Sequence, residues 1–343
     1  MFQILTGFLN RILGKEQNSA LPPVIANTTE IKSPAELLFL SKFKSAASVE
    51  GFSRPDDWTR VLRSTPTKAV RKFLAKGFLQ AADLETSIQS GFNGNQLKVL
   101  AKERGLPVSG TKKALAQRLV EADATGVTKL LGNRQFFVCT SIGQDAVERF
   151  ASANAQAKQD AETASLAALR LGKLRDACFV VSRYESQQIF PRGLGMDWEN
   201  YGRGSELQML EFIFRTSPLR FQNLPNDKLA ILRAAAGMLL IWGVSDATPW
   251  LNNLQLEEEL WSPEIAARMF LFLAQHHQRI EEFRAAGFHR VVVLGSDSDQ
   301  CPECAKHTGK IYSLGKVPNV PFDRCTCPDG CHCMINADLN ELS

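Results

Sequence analysis

The sequence predicts a mainly α-helical protein: a multi-helix body that contains a helix–turn–helix hairpin, followed by a small C-terminal β module rich in cysteine. Two observations predict this fold. Apolar residues recur mostly at helical spacing between Ser33 and Ala286, and six of the eight cysteines lie between Cys301 and Cys333. With 343 residues, 44% hydrophobic and 22% charged, the chain is long enough for two or three domains. We divide it into residues 1–32, 33–126, 127–288 and 289–343.

Residues 1–32 are predicted to be an amphipathic segment followed by a polar, proline-containing linker. Phe2, Leu5, Leu9 and Ile12 can share one helical face. No basic region precedes these apolar residues and no small-residue cleavage site follows them, so a secretory signal is not expected. No run of 18 apolar residues occurs, so no membrane span is predicted and we expect a cytoplasmic protein.

The region 33–126 is predicted to be helical and basic. Ser33-Pro-Ala-Glu36 has the residues of a helix start, and further short helices are expected at 58–62 and 67–76. Between Ser41 and Lys76 nine basic side chains face three acidic ones, a net charge of +6 in a chain whose net charge is +4. This asymmetry favours a polyanionic partner.

The segment from Gln96 to Asp123 predicts two helices joined by a tight turn. The sequence GLPVSG at 105–110 interrupts the helical pattern. Thr111 is placed to cap the second helix. The apolar positions that hold the two helices together are Leu97, Leu100, Ala101, Leu115 and Leu119.

This segment, QLKVLAKERGLPVSGTKKALAQRLVEAD, closely resembles the SAP domain, a small helix–extended turn–helix module that binds DNA. The resemblance covers residues 92–125 and implies that the protein binds DNA, with RNA left open. It implies contacts to phosphate and no base-specific reading.

Charge supports the resemblance, because residues 92–125 carry six basic and three acidic side chains. The unpaired amides at the start of the second helix favour an anion such as a phosphate. The alternative is that these lysines are ordinary solvent-exposed side chains of a helical hairpin and do not contact nucleic acid. The predicted nucleic-acid-binding residues are Lys98, Lys102, Arg104, Gly110, Thr111, Lys112, Lys113 and Arg118.

Residues 127–288 are predicted to be a helical body, and no motif in it indicates a function. Helices are expected within 143–190, 207–214, 225–242 and 263–286, the last with a cap, an N1 proline and an acid at Ser262-Pro263-Glu264. No nucleotide-binding loop, zinc-protease or serine-hydrolase motif is present, so we expect no enzyme. Acidic residues near Asp197, Glu199 and Glu206 leave a metal-dependent nuclease as an alternative.

The C-terminal cysteines have the spacing C-x2-C-x20-C-x-C-x3-C-x-C. In a reducing cytosol such clusters favour zinc over disulfides. Zinc takes four ligands in a tetrahedron, so six thiolates exceed one site, and either some are spectators or two ions share ligands. His307 and His332 are alternative ligands. The predicted metal ligands are Cys301, Cys304, Cys325, Cys327, Cys331 and Cys333.

The residues around the cysteines predict two short strands, at 289–294 and 310–314. Two short strands bury little apolar surface, so a metal ion is expected to stabilise the module, as in zinc ribbons. We expect the module and the helical body to have separate cores.

The sequences CPEC, GKIYSL and PNVP and the closing Cys-x-Cys resemble the C-terminal motif of phage Mu F-like head-morphogenesis proteins. The chain departs from that motif at Pro321-Phe-Asp-Arg-Cys-Thr-Cys and at Gly330-Cys-His-Cys333, which adds two cysteines. The resemblance implies a phage-encoded or bacterial protein that uses the module for protein contacts.

The sequence therefore predicts a DNA-binding accessory protein with a structural zinc module. An assembly factor related to phage heads is the main alternative, and a nuclease is the third.

Overall fold

The computed structural model describes Ile31 and residues 33–193, 195–256, 261–295 and 300–342. Over these residues the chain is mainly helical, as predicted, with twelve α-helices and two small antiparallel sheets. It divides into two compact units between Gln156 and Ala157. The predicted amphipathic segment and linker lie outside the described residues, apart from Ile31.

The N-terminal unit begins with short helices, three of which have a proline as their first residue. Pro34, Pro55 and Pro66 each occupy the first turn of a helix, where the missing N–H has no helical partner to lose. The helices predicted at 58–62 and 67–76 are confirmed with slightly earlier starts. The helices of this unit are α1 (Pro34–Leu40), α2 (Pro55–Leu62), α3 (Pro66–Ala75), α4 (Leu84–Gly91), α5 (Gly94–Glu103), α6 (Lys112–Leu131) and the first part of α7 (Ser141–Arg170).

Three short strands form the sheet of this unit: β1 (Ala47–Ser48), β2 (Leu79–Ala81) and β3 (Phe136–Cys139). β3 lies in the centre and pairs antiparallel with both neighbours. In the register of the sheet, Phe137 of β3 lies opposite Ala47 of β1 on one side and Ala81 of β2 on the other. This sheet was not predicted from the sequence.

The core of the N-terminal unit has two parts. One is aromatic and is built around Phe39, whose ring lies 5.4 Å from Phe43 and 5.2 Å from Trp58. The other surrounds Ile88 and Leu119 and joins α4, α5 and α6 to β3. The predicted hairpin therefore has an apolar core of its own.

The helices of the C-terminal unit are the rest of α7, α8 (Leu174–Ser186), α9 (Ser205–Arg215), α10 (Asn226–Trp242), α11 (Pro263–Ala285) and the short α12 (Pro302–His307). The alanine-rich stretch predicted as helical is interrupted at Gly172, whose φ of +68° suits glycine. The start of α11 is confirmed, since Ser262 Oγ accepts a hydrogen bond from the Ile265 N–H at 3.4 Å.

The second sheet contains β4 (Arg290–Leu294), β5 (Ile311–Ser313) and β6 (Met334–Ala337), in the order β5-β4-β6 with antiparallel pairs. The two predicted strands are confirmed as β4 and β5. β6 was not predicted. Val291 and Val293 of β4 point into the core and pair with Ala337 and Ile335 of β6.

The C-terminal unit has one continuous core. Its buried residues run from α8, α10 and α11 through β4 and β6 to all six clustered cysteines. The expectation of separate cores is therefore wrong: α11 supplies apolar surface to the helices and to the cysteine region alike. Among the described residues, none of the helices combines the length and apolar character needed to cross a membrane.

Candidate nucleic-acid interface and metal centre

We call α5, the following turn and α6 as far as Asp123 the basic hairpin (residues 94–123). Its first helix starts with a capping box: Asn93 Oδ1 accepts from the Gln96 N–H at 2.9 Å, and Gln96 Oε1 accepts from the Asn93 N–H at 2.7 Å. Its second helix is capped as predicted, since Thr111 Oγ1 accepts from the Ala114 N–H at 3.2 Å. Both helix starts are thus fixed by local sequence.

The apolar side of the basic hairpin is buried as predicted. Leu97 and Ala101 of α5 and Leu115 and Leu119 of α6 are almost fully covered. They pack with α4, which the sequence analysis missed. A signal for α4 was present, because Asp83 accepts a hydrogen bond from the Thr86 N–H at 2.7 Å as an N-cap.

Arg118 holds the turn between the two helices. Its Nη1 donates to the carbonyl oxygens of Pro107 at 2.6 Å and of Ser109 at 2.8 Å. Gly110 has φ +111°, and a Cβ there would lie 2.9 Å from Arg118 Nη2. The backbone conformation therefore favours glycine, and a larger residue would also press on the Arg118 guanidinium.

Arg104 ties the end of α5 to α6. Its Nε donates to Asp123 Oδ2 at 2.9 Å and its Nη1 to the Leu100 carbonyl at 3.2 Å. Asp123 interrupts α6 with φ −152° and ψ 60°. Hydrogen bonds from the Gly126 N–H and from Arg104 hold the pKa of Asp123 below its ordinary value. Arg104 and Arg118 are thus engaged within the hairpin.

The other predicted contact residues face solvent. Gly110, Thr111, Lys98, Lys102, Lys112 and Lys113 are exposed. Lys98 and Lys102 are four residues apart, so they project from the same side of α5. None of the four lysines has a carboxylate within ion-pair distance among the described residues. Lys113 is near enough to Asp83 to contribute to that carboxyl's low pKa, after the Thr86 N–H.

The basic region that precedes the hairpin differs in this respect. Lys72 pairs with Glu36 at 2.5 Å, Arg54 with Asp57 at 2.6 Å, and Lys44 lies 3.9 Å from Glu148. Part of the +6 charge of residues 41–76 is therefore balanced within the unit. The unpaired positive charge of the hairpin is the stronger feature for attracting an anion.

Four cysteines of the C-terminal unit form the first group that could hold a metal ion. The sulfurs of Cys301, Cys304, Cys325 and Cys327 all lie within 4.8 Å of one another. The Sγ of Cys325 is 3.9 Å from that of Cys301 and 3.5 Å from that of Cys304, and Cys327 is 3.8 Å from Cys304. A tetrahedral ion with bonds of about 2.3 Å requires sulfurs about 3.8 Å apart, so these residues fit a thiolate metal site.

A second group contains Cys304, Cys331 and Cys333, whose sulfurs also lie within 4.8 Å of one another. The Cys304 and Cys331 sulfurs are 3.8 Å apart. All six cysteines are buried and free, and the measured separations are far beyond a disulfide bond of about 2.0 Å. The structure thus brings together all six predicted ligands, with Cys304 in both groups.

Backbone amides point at the sulfurs. The Thr326 N–H donates to Cys301 Sγ at 3.3 Å and the Cys301 N–H to Cys327 Sγ at 3.4 Å. Such hydrogen bonds stabilise thiolate over thiol. In the absence of an ion, burial and the neighbouring Cys331 sulfur raise the pKa of Cys304. A bound cation reverses this preference, because a coordinated thiol loses its proton.

Two residues distant in sequence support the loops that carry Cys325 and Cys327. Trp261 Nε1 donates to the Cys327 carbonyl at 2.7 Å, and Arg220 Nη2 donates to the Cys325 carbonyl at 3.1 Å. The Arg220 guanidinium also lies 4.9 Å from the Trp261 ring centre. Sequence analysis missed both residues, because nothing local at either position indicates a contact with a loop far along the chain.

His307 is occupied by other contacts. Its Nδ1 is 2.7 Å from the Tyr312 hydroxyl and its Nε2 is 3.1 Å from Glu303 Oε1, and its ring stacks on Phe322. His332 is exposed. Over the described residues, the groups that bring three or more metal-ligating side chains together consist of cysteines.

The geometry gives less support to a nuclease site at the acidic residues and to a reactive lone cysteine. Asp197 is exposed and accepts hydrogen bonds from the Glu199 and Asn200 amides and from Asn200 Nδ2, as a turn residue does. The lone thiols Cys139 and Cys178 are buried, and burial raises their pKa to about 11 and about 12. Thiols of that kind are unreactive at neutral pH.

Comparison with known proteins adds one finding. Searches of curated proteins and of solved structures give no significant match. The predicted resemblance of the cysteine region to head-morphogenesis proteins therefore stays a prediction. A family model described as SAP domain matches residues 90–124, which agrees with the resemblance predicted for 92–125. This part of the chain is similar to a SAP domain, and the similarity supports nucleic-acid binding.

Proposed function

We propose that the protein is a DNA-binding accessory protein that grips phosphates through the basic hairpin, largely independently of sequence. The observation that carries the proposal is the set of four exposed lysines, free of ion pairs among the described residues, on a hairpin that matches a SAP domain. Excess positive charge of this kind supplies most of the affinity in sequence-independent binding.

Lys112 and Lys113 are the first two residues of α6, where unpaired amides and the helix dipole favour an anion. The Thr111 hydroxyl oxygen accepts from Ala114, so its own proton remains able to donate to a phosphate oxygen. Lys98 and Lys102 extend the positive surface along α5. Arg104 and Arg118 act in this proposal by fixing the hairpin's shape, since their guanidinium groups are bound inside it.

The test is fluorescence anisotropy with labelled duplexes of unrelated sequence over a range of salt concentrations. About three to five phosphate contacts predict that log K falls against log salt with a slope of about −3 to −5. Changing Lys112→Ala and Lys113→Ala together should weaken binding to every duplex and flatten the slope by up to about two units.

The matched control is Arg170→Ala with Lys173→Ala, which removes the same charge from two exposed residues of the C-terminal unit. It should leave the slope within about half a unit of the original, because these residues make no phosphate contact. Equal losses in the two double variants would reject the assigned surface. Binding of single-stranded RNA in preference to duplex DNA would change the substrate class.

For the second part of the function we propose a structural zinc centre in the cysteine module (residues 289–342). Soft thiolate ligands in a tetrahedral arrangement favour zinc among the common divalent ions. A reducing cytoplasm would keep these thiols available. Elemental analysis of the purified chain under reducing conditions tests this, and a protein without metal would reject it.

The alternatives from the sequence, head assembly through protein contacts of the cysteine module and metal-dependent nuclease activity, stay predictions. Incubation of supercoiled DNA with the protein and magnesium tests the nuclease directly.

A further inference from the structure

We propose that the cysteine module holds a binuclear centre, two divalent ions bound by six thiolates, in which Cys304 and Cys325 bridge the ions. The inference rests on the proposed metal function and specifies its ligands. Cys301 and Cys327 would complete the first tetrahedron, and Cys331 and Cys333 the second.

The sulfur of Cys304 belongs to both groups of cysteines. It is the one residue that the groups 301/304/325/327 and 304/331/333 have in common. Cys304 Sγ is 3.8 Å from Cys327 on one side and 3.8 Å from Cys331 on the other. Both distances fit the edge of a metal tetrahedron, about 3.8 Å, so one sulfur is placed to serve two ions.

If both ions are four-coordinate, a second cysteine of the first group has to be shared, and we assign Cys325. Its sulfur belongs to the first group and lies 3.5 Å from that of Cys304, which both groups contain. Six ligands fill two tetrahedra only when the tetrahedra share two corners. We assign these two corners to Cys304, which both groups contain, and to Cys325 beside it.

The edge between the two assigned bridging sulfurs is short. Cys304 and Cys325 are 3.5 Å apart, whereas Cys325 is 3.9 Å from Cys301, and Cys304 is 3.8 Å from both Cys327 and Cys331. Two cations that face each other across a shared edge repel, and bridging sulfurs move together to screen them. The short edge between Cys304 and Cys325 therefore agrees with the binuclear arrangement.

Cys331 and Cys333 are buried beside the shared sulfur and are not set apart from it as spectators. The Cys331 and Cys304 sulfurs are 3.8 Å apart, and Cys333 lies within 4.8 Å of both. Three sulfurs at these separations suit a second ion, because a coordinated thiol loses its proton.

Native mass spectrometry of the full chain, purified with zinc under reducing conditions, tests the proposal. The expected mass is that of the chain plus two zinc ions less the thiol protons released. One ion per chain would overturn the binuclear centre and leave the structural metal site in place. No ion would overturn both. DNA binding through the hairpin is measured separately and is independent of either result.

A matched pair of double variants separates the two arrangements. Cys331→Ser with Cys333→Ser leaves the first group intact, and Cys301→Ser with Cys327→Ser leaves Cys304, Cys325, Cys331 and Cys333. The binuclear centre predicts one retained ion in each. A mononuclear site with spectators predicts one ion in the former and none in the latter.

The wild-type protein provides a check that does not depend on a variant folding. With metal–sulfur bonds of about 2.3 Å and a shared edge of 3.5 Å, the two ions would lie about 3 Å apart. X-ray absorption of the zinc-loaded chain should show a metal–metal vector at that distance. A spectrum with four sulfur neighbours and no metal neighbour would overturn the proposal.

Discussion

The basic hairpin and the cysteine module place their functional groups in opposite ways. In the hairpin, apolar side chains and helix caps hold two helices together, and the lysines proposed for binding face solvent. In the cysteine module the proposed ligands are themselves part of the core, and all six are buried.

This difference decides which substitutions separate function from stability. A surface lysine of the hairpin can be removed without a cavity, so binding and folding can be changed independently. A cysteine of the module cannot be replaced without changing stability as well, because its sulfur is both a proposed ligand and part of the core. Metal removal and three substitutions in the hairpin should reveal that contrast.

Metal removal is expected to have the largest effect. Structural zinc can contribute on the order of 10 kcal/mol to the folding of a small domain, so a chelator should unfold the cysteine module. Hydrogen exchange should show loss of protection in β4, β5 and β6. Because the helices share a core with this module, α11 should lose protection as well.

The basic hairpin is the internal control for that experiment, since α5 and α6 should keep their protection with and without chelator. Equal loss of protection in the hairpin would show that the stability of the hairpin depends on the cysteine module.

Leu119→Ala should have the next largest effect. The side chain is 0% exposed in the hairpin core, and such truncations cost about 2–5 kcal/mol through lost burial and a cavity. Chemical denaturation would measure the loss. Val99→Ala is the matched control on α5, where a side chain 56% exposed should change stability by less than about 0.5 kcal/mol.

Arg118→Ala should reduce stability by about 1–3 kcal/mol, because the carbonyls of Pro107 and Ser109 lose a charged donor. Arg118→Lys should recover little of it, since lysine lacks the planar guanidinium. A positioning residue should leave the salt slope of DNA binding nearly unchanged at temperatures where the variant is folded. A slope flatter by about one unit would instead assign Arg118 a phosphate contact.

Thr111→Ala should have the smallest effect, about 1 kcal/mol, because it removes the N-cap acceptor for Ala114. Thr111→Ser should restore most of the stability. If alanine were as stable as threonine, the cap would be contributing nothing and the start of α6 would depend on packing alone.

The same contrast explains what could be predicted from the sequence. The hairpin follows from local rules: apolar residues at i, i+4, a turn with Gly110, and a cap at Thr111. α4 was missed because it has only eight residues, and β1 and β3 because a strand of two or four residues gives too short a pattern.

The cysteine module could be predicted only in part. The spacing identified the six cysteines that the structure brings together, and the β-branched run identified β4. The pairing of sulfurs depends on how residues 305–324 turn back, which no local pattern fixes. The shared core was missed for a similar reason, since the contact of Trp261 with Cys327 joins positions far apart in the chain.

That contact gives the protein a built-in optical probe. Trp261 is 1% exposed and hydrogen-bonded to the loop that carries Cys327. Indole fluorescence shifts to longer wavelength when the ring moves from an apolar environment into water. If the proposed ions bind, their removal should release the loop and expose the ring, so that this part of the emission of the five tryptophans shifts to longer wavelength in an unlabelled sample.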